Sequence, residues 1–213
     1  GEIFAQRLGA SQGIETHTNQ LRLANLKAGL LETWTNVPKT ITDEYELGCW
    51  ENYYPESDIE NIAALFEVMN TAPRENLQVE DQKITPEFLR DALKAWKTRG
   101  TTVVTLYLRH KPSGELVGCT ETFWNPENPK VLWQGATGVL PAHRSKGLGK
   151  WLKAAMIQKV QQEKSGLTFI RTGNADSNAP MLAINEQLGF KPYVKETIWQ
   201  LELDKLKAYT QPY

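Results

Sequence analysis

A basic loop with two glycines, placed between a predicted strand and a predicted helix, constrains this chain more than any other segment. The apolar run at 131–139 predicts a strand, the loop reads Arg-Ser-Lys-Gly-Leu-Gly at 144–149, and helical spacing covers 147–163. The first backbone N–H groups of a helix have no partner within it, and the helix dipole is positive at that end. Glycine lets an anion approach the backbone closely. The segment therefore predicts an anion cradle and a ligand that carries phosphate.

Length and charge narrow the class of ligand. The 213 residues suit one domain, or one domain with a fragment of another, and 40% of them are hydrophobic, which is enough for a core. The formal net charge is −1, so the chain has no overall basic field and we expect no nucleic-acid partner. Basic residues cluster instead around the loop, at positions 143, 144, 146, 150 and 153. This local cluster suits a few phosphate groups better than a polynucleotide.

The cysteines and the apolar runs indicate the compartment. Cys49 and Cys119 have no metal-type spacing and lie in strand-like segments, so we predict two buried free thiols and no metal site. No apolar run approaches the roughly 18 residues that span a membrane, and no signal peptide is recognisable. We therefore expect a cytoplasmic protein with no membrane partner.

The two ends of the chain resemble each other at a fixed offset. Leu8-Gly9 recurs as Leu188-Gly189, an offset of 188 − 8 = 180, and an extended segment follows each pair. We predict that residues 1–25 are the tail of a preceding, related domain of a longer protein and that 26–213 form the main domain. The alternative makes 1–25 an N-terminal extension, the helix and strand of one single domain. Further matches at the same offset are Gln20 with Gln200, Leu21 with Leu201, Leu23 with Leu203 and Leu26 with Leu206.

Hydrophobic periodicity predicts a mixed α/β chain, with hairpins early and a β-α-β-α-β order late. Helices are predicted at 26–35, at 57–70, from Thr85-Pro86 onward, at 147–163 and at 178–188. Strands are predicted at 40–50, 101–110, 115–124, 131–139, 167–173 and 193–203, with a polar loop at 71–83.

Three glycine-rich phosphate cradles compete for the loop. The P-loop needs Gly-x-x-x-x-Gly-Lys followed by Ser or Thr, which the sequence lacks. The dinucleotide-binding motif needs Gly-x-Gly-x-x-Gly and an acidic residue at the end of the next strand, and only Gly147-Leu148-Gly149 fits part of it. The third pattern, (Gln/Arg)-x-x-Gly-x-(Gly/Ala), is matched at every fixed position by residues 144–149.

Four segments around the loop share their residues with one known superfamily. They are Thr137-Gly138-Val139 before the loop, Thr172-Gly173-Asn174 at the end of the next strand, Asn178-Ala179-Pro180-Met181 at the start of the following helix, and Ile-Asn-Glu-Gln-Leu-Gly-Phe-Lys-Pro at 184–192. Together with the loop they resemble the GNAT superfamily of acyl-CoA-dependent N-acyltransferases, most of all the C-terminal halves of bacterial tandem GNAT proteins. The resemblance covers about 115–203 and extends from about 40. It implies an α/β (α+β) GNAT fold, with a mixed central sheet of about 6–7 strands that is splayed at the CoA site and flanked by helices.

The resemblance implies acetyl-CoA as the cofactor, with its pyrophosphate on the loop. The side chains of Arg144 and Lys146 would add charge-assisted bonds, and a solvated basic surface is the alternative for both. Most of the donors would be the backbone N–H groups of Ser145, Lys146, Gly147, Leu148, Gly149 and Lys150.

The pantetheine arm of the cofactor would lie in the splay and bond to the backbone like an added strand. Thr137 and Val139 would provide those backbone groups, and Gly138 would leave room for the thioester. Asn174 and Asn178 offer amides to the arm or to the adenosine end. Helix capping is the alternative role for Asn178.

Catalytic groups are less complete in the sequence than the cradle. In the superfamily, a tyrosine three residues before the Leu-Gly-Phe of the last helix often acts as the general acid. In this chain, Asn185 occupies that position. Where a glutamate often lies on the central strand, this chain has Trp133-Gln134. Glu121 on the adjacent strand is the best carboxylate to remove a proton from an amine, with an exposed strand residue as the alternative. The aromatic residues proposed for the wall of an acceptor pocket are Trp50, Tyr53, Tyr54 and Trp124.

Three functions follow from these observations. The first is acetyl-CoA-dependent N-acetylation of a small-molecule amine or an amino terminus. The second is a catalytically degenerate acyl-CoA-binding domain with a sensing or structural role, which the amide at Asn185 favours. The third is a nucleotide-binding domain of another type. The sequence leaves the acceptor and the oligomeric state open, and the repeated ends point to an upstream GNAT-like domain in the same polypeptide.

Overall fold

A computed structural model describes residues 1–210 of the chain. Seven strands form a single mixed sheet, in the order β2-β3-β4-β5-β6-β1-β7. The strands are β1 (Ser11–Arg22), β2 (Tyr45–Glu51), β3 (Thr102–His110), β4 (Leu116–Trp124), β5 (Val131–Val139), β6 (Phe169–Ala175) and β7 (Lys191–Gln200). The helices are α1 (Glu2–Arg7), α2 (Leu30–Thr35), α3 (Lys39–Glu44), α4 (Ile59–Phe66), α5 (Pro86–Thr98), α6 (Leu148–Glu163), α7 (Ala179–Leu188) and α8 (Leu203–Thr210).

The sheet is antiparallel except at its centre, where β5 and β6 pair in parallel. A parallel pair needs a crossover connection, and α6 supplies it between the two strands. The expected mixed sheet of about 6–7 strands flanked by helices is confirmed.

The two faces of the sheet are covered by different helices. On one face α6 lies against β4 and β5, and its apolar residues, among them Leu148, Leu152 and Met156, are completely buried. On the other face α4 and α5 enclose a smaller apolar cluster that includes Ile62 and Leu89. Both faces are therefore shielded along the central strands, where the sheet separates.

The N-terminal segment is built into the sheet. The predicted helix, Leu-Gly turn and strand appear as α1, a turn at Gly9 with a φ of 77°, and β1. β1 pairs antiparallel with β6 on one side and with β7 on the other. The main sheet thus includes residues 11–22, and their origin in a preceding domain stays a prediction.

Several element boundaries differ from the predictions, among them the helix predicted at 26–35, which begins only at Leu30 as α2. The β-branched run at 40–42 favours a strand, but this segment lies in α3, where the backbone N–H groups of Ile41 and Thr42 both donate to the carbonyl of Pro38. The strand β2 begins only after it, at Tyr45. The helix predicted at 57–70 is α4 followed by a 3-10 turn at Glu67–Thr71. The last predicted strand ends at Gln200, and α8 follows it where no helix is predicted.

The prediction of two buried thiols is right for one cysteine and wrong for the other. Cys119 is completely buried, and burial raises the pKa of its thiol. Cys49 is exposed, because its position on β2 faces away from the apolar cluster that its neighbour Trp50 joins. Both are free thiols.

Candidate active site

The anion cradle lies between the end of β5 and the start of α6. Ser145 and Gly147 have positive φ values of 64° and 79°, which turns successive N–H groups toward one side of the loop. A β-carbon at Gly147 would meet no atom within 4 Å, so the loop is open in front of its glycine. Within residues 1–210, the backbone N–H groups of 145–150 donate to no protein acceptor, and the first donation along α6 is from Trp151 to Gly147. Six unpartnered donors at a helix N-terminus suit a phosphate group.

A cavity of about 540 Å³, here called the cradle cavity, extends from this loop to the centre of the sheet. Thr137, Gly138 and Val139 line it from β5, and Asn178 lines it from the start of α7. The 3-10 turn at Glu67–Thr71 forms the opposite wall through Val68 and Met69.

The cavity lies where β5 and β6 separate. Their parallel pairing runs from Val131 with Phe169 to Gln134 with Thr172 and then ends. Beyond that point β5 stays paired with β4, and β6 stays paired with β1. The expected splay is therefore present, and each separated strand is held in place by its outer neighbour.

The basic side chains of the loop bond to protein groups in this structure. Arg144 donates to the Val139 carbonyl at 2.9 Å and to the Thr71 hydroxyl at 2.8 Å. Lys146 donates to Glu44 at 3.2 Å and to the Tyr45 hydroxyl at 2.9 Å, and Lys150 donates to Gln187 at 2.9 Å. The cradle cavity is lined by Arg144 and Lys150 and not by Lys146. Arg144 and Lys150 use only part of their N–H donors in these bonds, so both side chains can add to the backbone donors of the cradle.

Gly138 has a packing reason for lacking a side chain. A β-carbon there would lie 2.7 Å from the Cγ1 atom of Val68 on the 3-10 turn, which is closer than carbon atoms approach. The glycine thus lets the turn at Glu67–Thr71 press against β5 and close the cradle cavity.

A buried chain of hydrogen bonds crosses under the splay. The Lys153 ammonium donates to Gln134 at 2.9 Å and to Asn185 at 2.6 Å, and the Asn185 amide donates to Asn174 at 2.7 Å. From Gln134 the chain continues to Thr120 at 3.1 Å, whose hydroxyl lies 2.8 Å from that of Thr137. The chain therefore links the separated end of β5 to the separated end of β6.

Lys153 is a buried amine whose pKa lies near neutral pH. Its side chain is 1% exposed, and burial alone lowers the pKa of its amine to about 7. Asn185 is also buried and does not line the cradle cavity, since its amide is directed to Lys153 and Asn174. Asn178 does line the cavity and at the same time caps α7, accepting from the Met181 N–H at 3.4 Å.

A second cavity, of about 200 Å³ and here called the aromatic cavity, lies between α5 and the sheet. Glu121 extends into it from β4, and the Tyr54 hydroxyl donates to the Glu121 carboxylate at 3.2 Å. Burial raises the pKa of Glu121 to about 7, and the bond from Tyr54 opposes that rise only in part. The carboxyl group therefore exchanges its proton near neutral pH. The aromatic side chains that line the cavity are Tyr54, Phe66, Phe88, Trp96 and Phe123.

One of the four aromatic residues predicted for an acceptor pocket lines this cavity, namely Tyr54. Trp50 is buried and stacks on Tyr107 with 3.9 Å between ring centroids, and Tyr53 is exposed. Trp124 lies at the end of β4 and donates to the Pro129 carbonyl. These three do not line the aromatic cavity, since each is held at another place in the fold.

Sequence reasoning placed Lys153 in the basic cluster of the loop, but this lysine is buried and does not line the cradle cavity. Sequence reasoning also missed most of the aromatic wall. A signal for the wall was present in α5, where Phe88, Ala92 and Trp96 stand four residues apart on one helix face. A small residue between two aromatic ones leaves a space on that face. Lys153 carried no such signal, because a lysine in a helix is exposed in most proteins.

A mixed sheet that separates over a helix N-terminus places the chain in the α/β class of fold that the sequence resemblance implies. A family model described as the acetyltransferase (GNAT) family matches residues 62–190, more than half of the chain, and the chain therefore belongs to that family.

Solved structures support the same assignment. A tandem GNAT protein from the clavulanic acid biosynthesis pathway matches with a TM-score of 0.74 and 26% identity, over 93% of this chain and 57% of that one. A GCN5-related N-acetyltransferase from Sphaerobacter thermophilus matches with a TM-score of 0.64 and 12% identity, over 93% and 54%. A putative acetyltransferase from Salmonella typhimurium, described with its cofactor acetyl-CoA, matches with a TM-score of 0.50 and 18% identity, over 68% and 81%. The last two likenesses concern the fold alone.

The resemblance to tandem GNAT proteins is thus confirmed at the level of structure, and this chain spans little more than half the length of the first two relatives. No curated protein matches the chain. In the described part of the chain, no helix is both long and apolar enough to cross a bilayer, and no three His, Cys, Asp or Glu residues are grouped to hold a metal ion.

Proposed function

We propose that this domain transfers an acetyl group from acetyl-CoA to the nitrogen of an amine. The observation that carries the proposal is the cradle cavity, which runs from six unpartnered N–H groups to the splay between β5 and β6. The N–H groups of 145–150 would hold the pyrophosphate, and the strand end at Thr137–Val139 would hold the pantetheine arm. Membership of the GNAT family and the acetyl-CoA of one structural neighbour support the choice of cofactor.

The chemistry requires an amine nitrogen that has lost its proton. Acetyl-CoA, when bound, supplies a thioester whose carbonyl carbon bonds to the nitrogen while the carbon–sulfur bond breaks. Glu121 takes one proton from the incoming ammonium group, and the second proton lost by the nitrogen ends on the sulfur. Tyr54 holds the carboxylate through its hydroxyl donor at 3.2 Å. A base whose pKa lies near 7 suits this step, because it accepts and releases a proton at neutral pH.

A second candidate function is acyl-CoA binding without transfer. Asn185, at the position where the superfamily often has its acid, is buried and bonded to Lys153 and Asn174. An amide has no proton to give near neutral pH, so the proton from the nitrogen would have to reach the departing sulfur through water. A domain without that step would bind the thioester and release no thiol.

The full-length protein tests the site through a matched pair of glycine variants. Gly147→Asp places a carboxylate in the cradle and strains a residue at a φ of 79°, so we expect acetyl-CoA binding, measured by calorimetry, to weaken at least a hundredfold. Gly166→Asp introduces the same charge and a similar strain at a φ of 84°, in the exposed turn after α6, and leaves binding unchanged. Equal affinity in both variants would show that the cradle is not the site.

Thiol release separates the two candidate functions. Acetyl-CoA is incubated with a broad panel of amines, and free CoA thiol is measured. Release that depends on an amine and is lost in Gly147→Asp supports the transferase. Tight binding of acetyl-CoA with no release from any amine supports the binding domain.

A further inference from the structure

The aromatic cavity has the composition of a binding site for an apolar ligand with one positive charge. Its walls are ring faces and aliphatic side chains, and Trp96 and Phe123 contact each other with ring centroids 4.7 Å apart. Phe88 is partly exposed at its edge. An apolar concave site with a few converging polar groups is the usual form of a small-molecule pocket.

Polar groups in this cavity are few, and two of them, on Tyr54 and Glu121, bond to each other. Among its described lining residues they are the Glu121 carboxyl, the Tyr54 hydroxyl and the indole N–H of Trp96. Burial also raises the pKa of Tyr54, so the phenol stays neutral and Glu121 is the one group there that becomes charged near pH 7. The cavity therefore neutralises a single ammonium group, and any further charge on the ligand would be buried without a partner, which disfavours its binding.

The volume limits the ligand to about one ring and a short chain. A cavity of about 150 Å³ lined by apolar side chains accepts benzene in another protein, and the aromatic cavity measures about 200 Å³. The difference accommodates the one or two carbon atoms that would join a ring, or a branched aliphatic group, to an amine.

The aromatic cavity and the cradle cavity have no lining residue in common, but two segments of the chain run from one to the other. Phe66 at the end of α4 lines the first, and Val68 and Met69, which follow it in the chain, line the second. On β5, a register shift opposite Glu121 places Gly135 beside the carboxylate, and the next residues lead to Thr137 in the cradle cavity. An amine bonded to Glu121 would thus stand beside the strand that leads to the splay.

We infer that the acceptor is a small apolar primary monoamine, such as an arylalkylamine or a branched alkylamine, and that its hydrocarbon part occupies the aromatic cavity with its nitrogen at Glu121. This inference rests on the proposed acetyl transfer for its chemistry and on the cavity alone for its choice of ligand.

Matched amines test the charge requirement. The full-length protein is assayed for CoA release with 2-phenylethylamine against phenylalanine, 3-methylbutylamine against leucine, and pentylamine against 1,5-diaminopentane, where each second compound adds one charged group. We expect kcat/KM to be at least tenfold higher for the first member of each pair. Equal or reversed preference would overturn the inference and leave the proposed acetyl transfer intact.

Matched variants on α5 test the place of binding. Ala92 lines the aromatic cavity, whereas Ala95, one turn further along the same helix, is exposed and does not. Ala92→Leu fills part of the space, so we expect the KM for 2-phenylethylamine to rise about tenfold or more while the KM for acetyl-CoA stays the same. Ala95→Leu changes neither, and an unchanged acetyl-CoA affinity shows that each variant is folded. Ala92→Val, with a smaller addition, provides the same comparison if the leucine variant does not fold.

Direct binding distinguishes failure of this inference from failure of the proposed function. If no amine releases CoA, binding of 2-phenylethylamine is measured by calorimetry with CoA present. Binding that is lost in Ala92→Leu and kept in Ala95→Leu supports the cavity as the ligand site and rejects acetyl transfer. No binding in the wild-type protein, or equal behaviour of the two variants, rejects the cavity as the ligand site.

Discussion

Glu121 is a carboxyl group with one hydrogen-bond donor and an apolar cavity around it. Loss of water from its surroundings favours the neutral acid, and the single donor from Tyr54 compensates only in part. The result is a pKa of about 7 for a group whose ordinary value is 4.5. Burial in the fold favours the neutral acid, whereas proton removal from the amine requires the carboxylate. With a pKa of about 7, both forms of Glu121 are present near neutral pH.

We expect that replacing the Glu121 carboxyl changes how both the rate of acetyl transfer and the free energy of unfolding depend on pH. In Glu121→Gln we expect the rate of acetyl transfer at pH 8 to fall roughly a hundredfold or more, since no carboxylate takes the ammonium proton. In the wild-type protein that rate rises with pH through about 7, and the variant loses this rise. Steady-state rates measured from pH 5.5 to 8.5 provide the check.

Stability provides an independent measure of the same group. Between pH 4.5 and 7 the folded protein holds a proton on Glu121 that the unfolded chain has lost, so the wild-type free energy of unfolding falls relative to Glu121→Gln as pH rises. The total change is about 3 kcal/mol, followed by a plateau above pH 7. Glu127→Gln, at an exposed carboxyl in the turn after β4, serves as the control. A flat difference between wild type and Glu121→Gln would contradict a carboxyl that is protonated by burial.

Sequence patterns identify individual residues when the residue type itself is informative. Glu121 was recognisable because a carboxylate among the apolar and β-branched residues of a central strand needs a reason to be there. Lys153 was not, because its burial depends on the packing of α6 between the sheet and α7. Asn185 was found through its position near Leu188-Gly189, yet its partners Lys153 and Asn174 come from other elements. Contacts between distant residues of this kind have no local pattern.

At the scale of elements, side-chain hydrogen bonds connect the two strands that separate at the splay. The side chains belong to α6, α7 and the two strands, and these bonds are here called the brace. Once β5 and β6 part after Gln134 and Thr172, their backbones no longer bond to each other. Lys153 replaces that link through Gln134 on one side and through Asn185, and so Asn174, on the other. Lys153 and Asn185 thus connect the two separated strands and do not line the cradle cavity.

For Lys153→Met we predict that the difference in free energy of unfolding between the wild-type protein and the variant depends on pH. Above pH 7 the folded protein has lost the proton of Lys153, while the unfolded chain keeps it up to about 10.5, so unfolding takes up a proton. We therefore expect the wild-type free energy of unfolding to rise relative to the variant by about 1.4 kcal/mol per pH unit above 7, and to stay level below it. Chemical denaturation from pH 6 to 9 measures this difference.

A lysine on the same helix serves as the control for that change. Lys159 is bonded to Glu163 at 2.5 Å near the surface, and this contact raises the pKa of its amine. Lys159→Met is therefore expected to shift stability equally at pH 6 and pH 9. If Lys153→Met behaves in the same way, the buried amine is charged throughout and the brace is an ion rather than a neutral donor.

Element prediction succeeded where the local pattern and the tertiary environment agree. The hairpin β3–β4, the strand β5 and the helix α6 appear close to their predicted bounds, since alternation, turn residues and apolar spacing all favour them. The segment 40–50 divides into α3 and β2 because backbone bonds to Pro38 override the strand preference of its threonines. In α5 the helix was predicted correctly, but its helical spacing does not reveal that its apolar face lines a cavity.

At the scale of the whole molecule, the repeated ends of the chain lie side by side. Thr16 on β1 pairs with Glu196 on β7, and 196 − 16 = 180 is the offset of the sequence repeat. Two equivalent strands that pair antiparallel at equivalent positions are related by an approximate two-fold axis between them. A preceding related domain stays a prediction, and this geometry specifies what it would contribute, namely β1 and the helix before it.

Because β1 lies between β6 and β7 in the sheet, we expect the N-terminal segment to unfold together with the rest of the domain. Leu21 is completely buried in the main core, so we expect Leu21→Ala to lower the free energy of unfolding by about 2–5 kcal/mol. Ile3 on α1 is 69% exposed, and Ile3→Ala should change that free energy by less than about 0.5 kcal/mol. Urea denaturation of both variants, followed by tryptophan fluorescence and by circular dichroism, measures the two values. A single transition that shifts only in Leu21→Ala fits a strand on which β6 and β7 both depend, whereas an unchanged main transition with an early separate one would mean that β1 unfolds alone.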